Sequence, residues 1–199
     1  MHFESSVLRD DRAWLLGSNC RLNRDVRLKW ITRVDDSFHA RFSAIARSYR
    51  YIILNSPVTS ALFHDRVSWQ YQALDHEKMH KAAQVLLGEH DFSSFRAAGC
   101  QSKSASRHVQ AIEVSRSGDL VYLDVKANAF LYHMVRNIAG SLMAVGRGER
   151  SCEGFEELFR RKNRKLADAT ASGSGLYFMR AFYPEQYLLP IAGKKPVLF

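Results

Sequence analysis

The longest continuous pattern of apolar and polar positions lies between residues 120 and 147. It begins with an alternation in which Val121, Leu123 and Val125 are separated by more polar neighbours, and a period of two is typical of a half-buried β-strand. After Asn128 the apolar residues recur at helical spacing, at positions 131, 135, 138, 142 and 145. The stretch is therefore predicted to be a strand followed by an amphipathic helix.

Two residues interrupt the predicted helix. Gly140 should cost about 1 kcal/mol relative to alanine in a helix interior, so we expect another part of the backbone to approach it closely. Arg136 follows His133 by three residues and must be either exposed or held by an anion. The helix predicted after Asn128 therefore carries a guanidinium group that needs either solvent or an anion as its partner.

The other patterns predict an α+β fold with a mainly antiparallel sheet flanked by helices. Strands are predicted at residues 25–34, within 38–55, at 109–116, at 120–127 and at 176–184. Helices are predicted near residues 13–20, at 75–87 with Asp75 as N-cap, and after Ser151. The turn Ser117-Gly118-Asp119 indicates a hairpin, and residues 191–199 are expected to be loose.

Charge and cysteine usage narrow the class of protein. The chain has 29 Lys and Arg residues against 20 Asp and Glu residues, giving a net charge of +9 and a pI near 9.7. Nucleic acid is the expected partner, although solubility alone could explain such a charge. Cys20, Cys100 and Cys152 form no CxxC pair, which fits a reducing cytoplasm. No membrane span or secretory signal is expected.

Two local patterns suggest chemistry and have plainer alternatives. On the strand within 38–55, arginines and tyrosines interleave, which suits base stacking and phosphate pairing but equally suits a packing ladder of tyrosines. His76-Glu77-Lys78-Met79-His80 matches the HExxH pattern of zinc metalloproteases. No third ligand follows at the required spacing, so no metal site is predicted there.

Several longer stretches carry a resemblance to a known family. They are FHARFSAIARSYRYII, SFRAAGCQSK, VKANAFLYHMVRNIAGSLMAVGRG and GLYFMRAFYP, in this order. Together they resemble the tRNA pseudouridine synthase A family, across almost the whole chain. The resemblance implies a pseudouridine synthase fold and an isomerase that converts uridine to pseudouridine in the anticodon arm of tRNA. It also implies a cytoplasmic homodimer that needs no cofactor, metal or membrane.

The resemblance implies roles for individual residues. Tyr49 matches the family's base-contacting tyrosine, and Arg136 matches the arginine that pairs with the catalytic aspartate. An opposite charge nearby would keep that aspartate ionised as a nucleophile. Other candidate substrate-binding residues are Arg41, Arg47, Arg50, Lys103, Arg107 and His133.

One departure from the family pattern is serious. The catalytic aspartate of the family lies in a GRTDAGVHA motif shortly before the position of His2-Phe3, and these 199 residues contain no such motif. We therefore expect residues 1–37 to be the remnant of an N-terminal domain, with an open sheet edge near residues 2–4, and residues 44–199 to be the C-terminal domain. The chain alone is expected to be inactive, and a non-catalytic tRNA-binding remnant is the alternative function.

Overall fold

The computed structural model describes residues 1–190, which belong to two compact units. The first unit comprises Met1–Ile45 together with residues 182–190. Its one described α-helix, α1 (Asp11–Arg21), begins where the side chain of Asp10 accepts a hydrogen bond from the amide of Ala13 at 2.6 Å. The short helix predicted near residues 13–20 is therefore confirmed.

Two sequence predictions in the first unit are wrong. Residues 25–34 form no strand, because no described neighbour pairs with them. The backbone of Leu28 is held by the side-chain amide of Asn19, through two hydrogen bonds of 2.9 Å. Residues 2–4 form no sheet edge either, and the ring of His2 accepts a hydrogen bond from the amide of Ala40 at 3.3 Å.

The second unit, residues 46–181, is built on a six-stranded sheet. The strands are β1 (Ala46–Asn55), β2 (Ser68–Gln70), β3 (Gly88–Asp91), β4 (Ser106–Ser117), β5 (Leu120–Ala127) and β6 (Leu176–Phe182). Their order is β2-β1-β5-β4-β3, and β6 also pairs with β1. The pairs β1–β5, β4–β5 and β3–β4 are antiparallel and β1–β2 is parallel, so the mainly antiparallel α+β fold is confirmed.

Three helices of the second unit cover one face of this sheet. They are α2 (His76–Ala83), α3 (Met134–Gly146) and α4 (Cys152–Arg160), and the predicted caps Asp75 and Ser151 are both present. Alternate side chains of β1 and β5 that face the helices are fully buried, among them Ile53, Val121 and Leu123. Residues 191–199, predicted to be loose, lie outside the described residues. No helix in residues 1–190 is long and apolar enough to cross a membrane.

Gly140 has the close backbone neighbour that its position in α3 predicted. A Cβ atom built on it would overlap the carbonyl oxygen of Ala169. The amide of Asp168 also donates to the hydroxyl of Ser141 at 3.3 Å, on the same helix. The segment that precedes β6 is therefore laid directly on the backbone of α3.

Substituting Gly140→Ala should lower the free energy of unfolding by about 1–3 kcal/mol, because the added methyl group meets backbone that cannot rotate away. Gly17→Ala is the matched control, since it also lies inside a helix but has no atom within 4 Å of its built Cβ. That control should raise helix stability by about 0.5–1 kcal/mol. Urea unfolding followed by circular dichroism measures both, and equal effects of the two variants would contradict the packing account.

Candidate active site

Arg136 is half-buried in the first turn of α3. Its Nε donates to the carbonyl oxygen of Ala171 at 2.7 Å, and the amide of Ala171 donates back to the carbonyl of Arg136 at 3.2 Å. Its Nη1 lies 3.2 Å from Nε2 of His133. Among the described residues, Nη2 makes no hydrogen bond and the guanidinium has no carboxylate partner. One edge of a fixed cation is therefore left for an anion.

Segment 164–171 owes its position to a buried polar network. The side chain of Asn137, next to Arg136 on α3, is completely buried and donates to the carbonyl of Phe95 at 2.8 Å. Its oxygen accepts from the hydroxyl of Thr170 at 2.6 Å and from Nη2 of Arg164 at 3.2 Å. The same Nη2 donates to the Thr170 hydroxyl at 3.0 Å. Arg164 thus forms internal hydrogen bonds, although it belongs to a basic run that looks solvent-exposed in the sequence.

Tyr51 and His133 complete the surroundings of the guanidinium. The hydroxyl of the fully buried Tyr51 donates to the carbonyl of Ser172 at 2.7 Å, and burial raises the pKa of Tyr51 to about 12, opposed in part by Ser68 and by the charge of Arg136. His133 adopts a left-handed backbone conformation with φ of 57°. Desolvation and the nearby Arg136 both lower the pKa of His133, so its neutral ring can accept from the guanidinium.

Tyr49 lies two residues before Tyr51, on the same face of β1. Its half-buried ring contacts Phe130 at 4.9 Å and Phe178 at 5.3 Å between centroids, both edge to face. Burial raises the pKa of the Tyr49 hydroxyl, and Arg47 opposes this effect. Nη1 of Arg47 donates to the carbonyl of Asn128, the residue directly after β5, at 2.9 Å. The sheet therefore presents Tyr49, Tyr51 and Arg47 on one face.

Two other candidate substrate-binding arginines are Arg50 and Arg41. Arg50 is on the opposite face of β1, where Asp124 accepts two hydrogen bonds from it at 2.7 and 2.6 Å and Tyr122 lies below the guanidinium at 4.8 Å. The hydrogen bond to Asp124 raises the pKa of Arg50. Arg41 is exposed in the first unit, with its guanidinium 5.7 Å from the ring of Phe42. The binding roles predicted for Arg41 and Arg50 stay predictions.

Lys103 lies in the loop that follows Phe95, and Arg107 lies at the start of β4, directly after that loop. Lys103 is exposed, whereas Arg107 is buried and hydrogen-bonded to the loop itself. The loop is joined to the turn before α3, because Ala97 donates to the carbonyl of Tyr132 at 3.2 Å. The ring of Tyr132 in turn stacks on His133, with 3.9 Å between the centroids. Hydrogen bonds and ring contacts therefore connect this loop to Arg136.

The HExxH stretch has an internal role. It forms α2, and Nδ1 of His80 accepts a hydrogen bond from the amide of Val114 on β4 at 3.2 Å. Within residues 1–190, no group of three or more His, Cys, Asp or Glu side chains is placed to hold a metal ion. Within this pattern Met79 is buried in the core and His80 links the helix to the sheet, whereas Glu77 and Lys78 are exposed.

Removing the hydroxyl of Thr170 should weaken the network that holds the segment before β6. Thr170→Val leaves the oxygen of Asn137 and the fork of Arg164 short of one partner, so we expect a loss of about 1–2 kcal/mol in the free energy of unfolding. Thr170→Ser keeps the hydroxyl and is the control, with a smaller loss. Chemical unfolding of the two variants separates them; if they unfold alike, the hydroxyl contributes no net stability.

Comparison with known proteins identifies the family. A profile described as tRNA pseudouridine synthase matches residues 82–184. The tRNA pseudouridine synthase A of Hydrogenovibrio crunogenus is 53% identical over 189 residues, covering 95% of this chain and 72% of that protein. Those of Actinobacillus succinogenes and Photobacterium profundum are each 50% identical over 197 residues, covering 99% of this chain and 75% and 76% of theirs. The resemblance is confirmed, and the chain belongs to the tRNA pseudouridine synthase family.

Proposed function

We propose that this chain provides the arginine- and tyrosine-bearing part of an active site that isomerises uridine to pseudouridine in the anticodon arm of tRNA. The observation that carries the proposal is the open Nη2 edge of Arg136, on a guanidinium whose Nε is already fixed by Ala171. An edge of this kind suits a carboxylate or a phosphate, and the fork geometry of arginine favours both. Tyr49 on the adjacent strand supplies an aromatic contact for a base taken out of its stack.

The chemistry balances without a cofactor. The bond from the ribose C1′ to N1 of uracil breaks, the ring turns, and a bond from C1′ to C5 forms while the C5 proton is lost and N1 regains one. An aspartate that attacks the nucleoside would be kept ionised by a neighbouring guanidinium, and Arg136 is the residue proposed for this role. The neutral ring of His133 helps to hold the guanidinium in place.

Binding of tRNA and its catalytic turnover depend on different residues. The 199 residues contain no GRTDAGVHA motif, so a polypeptide of these residues alone would lack the nucleophile while keeping the basic surface. The alternative function, a tRNA-binding protein without catalysis, rests on the same surface. By family analogy the protein would act as a homodimer in the cytoplasm, and its three free cysteines fit a reducing compartment.

The purified chain should bind tRNA and release no label from it. The measurement uses tRNA tritiated at C5 of uridine, because the reaction exchanges that hydrogen with water. We expect a gel-shift or filter-binding signal and no tritium release above that of heat-denatured protein. Catalytic release by the purified chain would contradict the inactivity, and absence of binding would contradict the proposed function itself.

Arg136→Ala and Tyr49→Ala should change the salt dependence of tRNA binding in different ways. If Arg136 contacts a phosphate, its loss should reduce the slope of log K against log salt by about 0.7–0.9, whereas loss of a stacking tyrosine should weaken binding without changing the slope. If Arg136 serves only to hold an aspartate, its removal should leave affinity and slope nearly unchanged. Filter binding of tRNA across a series of KCl concentrations distinguishes these roles.

A further inference from the structure

The loop between Phe95 and β4, residues 97–105, accepts hydrogen bonds from the guanidinium groups of two arginines that flank it. Arg96 donates through Nη2 to the carbonyl of Cys100 at 3.1 Å and to that of Ser102 at 2.7 Å. The loop is also tied to the turn before α3, where the amide of Tyr132 donates to Sγ of Cys100 at 3.4 Å. Its conformation is therefore fixed at both its centre and its outer edge.

Arg107 holds the second half of the loop. Its Nη1 donates to the carbonyls of Ser104 at 3.0 Å and Ser106 at 2.5 Å, and its Nη2 donates to the hydroxyl of Ser102 at 2.6 Å. That hydroxyl donates in turn to the carbonyl of Ser104 at 3.0 Å. Only 9% of Arg107 is exposed, and its Nε is buried without a hydrogen-bond partner. This arginine is turned inward.

The acceptors of both arginines are neutral. They are carbonyl groups and one hydroxyl, and neither guanidinium forms an ion pair with a carboxylate of the described residues. Burial lowers the pKa of Arg107, with Arg96 adding repulsion while Cys100 opposes the shift. The two positive charges therefore lie, without an ion pair among the described residues, beneath a loop whose exposed outer surface carries Lys103.

We propose that Arg107 is a positioning residue that shapes loop 97–105 so that Lys103 contacts a phosphate of the tRNA. Arg107 itself makes no phosphate contact in this proposal, because the residue is buried and both of its Nη groups donate to the loop and its flanking backbone. Lys103 is the exposed cation of the same loop, which is connected through Tyr132 to the surroundings of Arg136. This inference rests on the proposed tRNA binding and adds to it which cation of the loop meets the RNA.

A double-mutant cycle tests this division of roles. The variants are Lys103→Ala, Arg107→Met and the double variant, with tRNA affinity measured over a series of KCl concentrations. Losing one phosphate contact should reduce the slope of log K against log salt by about 0.7–0.9 and weaken binding about fivefold to eightfold at 0.1 M salt. If Arg107 acts through Lys103, each single variant shows this loss and the double variant shows no more than one.

Three results would contradict the positioning role of Arg107. A double variant that loses about twice the slope would show that Arg107 binds its own phosphate, which would overturn the proposal. An Arg107→Met variant with normal affinity and slope would overturn it as well. Arg107→Lys keeps the charge but lacks the fork, so it should resemble Arg107→Met; full binding by this variant would show that charge alone suffices and would contradict positioning.

Two controls separate this inference from folding and from the proposed function. Trypsin should cleave after Lys103 faster in the Arg107→Met chain, at an unchanged overall circular dichroism spectrum, because the loop has lost its anchor. Lys81→Ala removes an exposed lysine from α2 and should leave the salt slope unchanged. If the unmodified chain does not bind tRNA, the proposed function fails; if it binds and the cycle is additive, only the role of Arg107 fails.

Discussion

The contact between Gly140 and Ala169 is the constraint on which the site depends. A side chain at position 140 would occupy the space of the Ala169 carbonyl, so the segment before β6 can lie on α3 only because residue 140 is glycine. Once that segment is in place, the carbonyl of Ala171 reaches Nε of Arg136. The direction of the guanidinium is thus fixed by a part of the chain that follows it by 35 residues.

The polar network beside this contact explains how a short loop can hold a charged side chain. Asn137, Thr170 and Arg164 satisfy one another and several carbonyl groups, so docking the segment leaves these buried side-chain groups with partners. A rigid support matters because a guanidinium that must meet an anion loses less free energy on binding when it is already oriented. The packing of one glycine and the orientation of one arginine are therefore parts of the same arrangement.

The net charge of +9 indicates the long-range electrostatic potential around the protein, but it does not indicate which cations can contact a polyanion directly. Arg50 forms an ion pair with Asp124, whereas Arg96, Arg107 and Arg164 donate to uncharged groups and form no ion pair among the described residues. Such internal cations still attract a polyanion at long range, because their potential extends beyond the groups they bind. Specific contacts then fall to the fewer cations that reach the surface.

Local periodicity allowed the strand and helix between residues 120 and 147 to be predicted, because alternate residues of β5 and all the periodic apolar positions of α3 are buried. The amphipathic character predicted for the helix is wrong, since every residue of α3 except Arg136 is buried. The same criterion failed at residues 25–34, since alternation shows which side chains could be buried and not whether a partner strand exists. The short strands β2 and β3 have too few residues to show any period. The bond between Asn137 and Thr170 spans 33 residues and leaves no local signal in the sequence.

The two tyrosines of β1 differ in burial and in the partners of their hydroxyl groups. Alternation placed both on one face and favoured either a base-stacking surface or a packing ladder. Tyr51 is fully buried and its hydroxyl is committed to Ser172, so it belongs to the core. Tyr49 is only half-buried, and among the described residues its hydroxyl makes no hydrogen bond. Packing therefore accounts for Tyr51, whereas the base-contacting role of Tyr49 stays a prediction, since its ring also packs edge to face on Phe130 and Phe178.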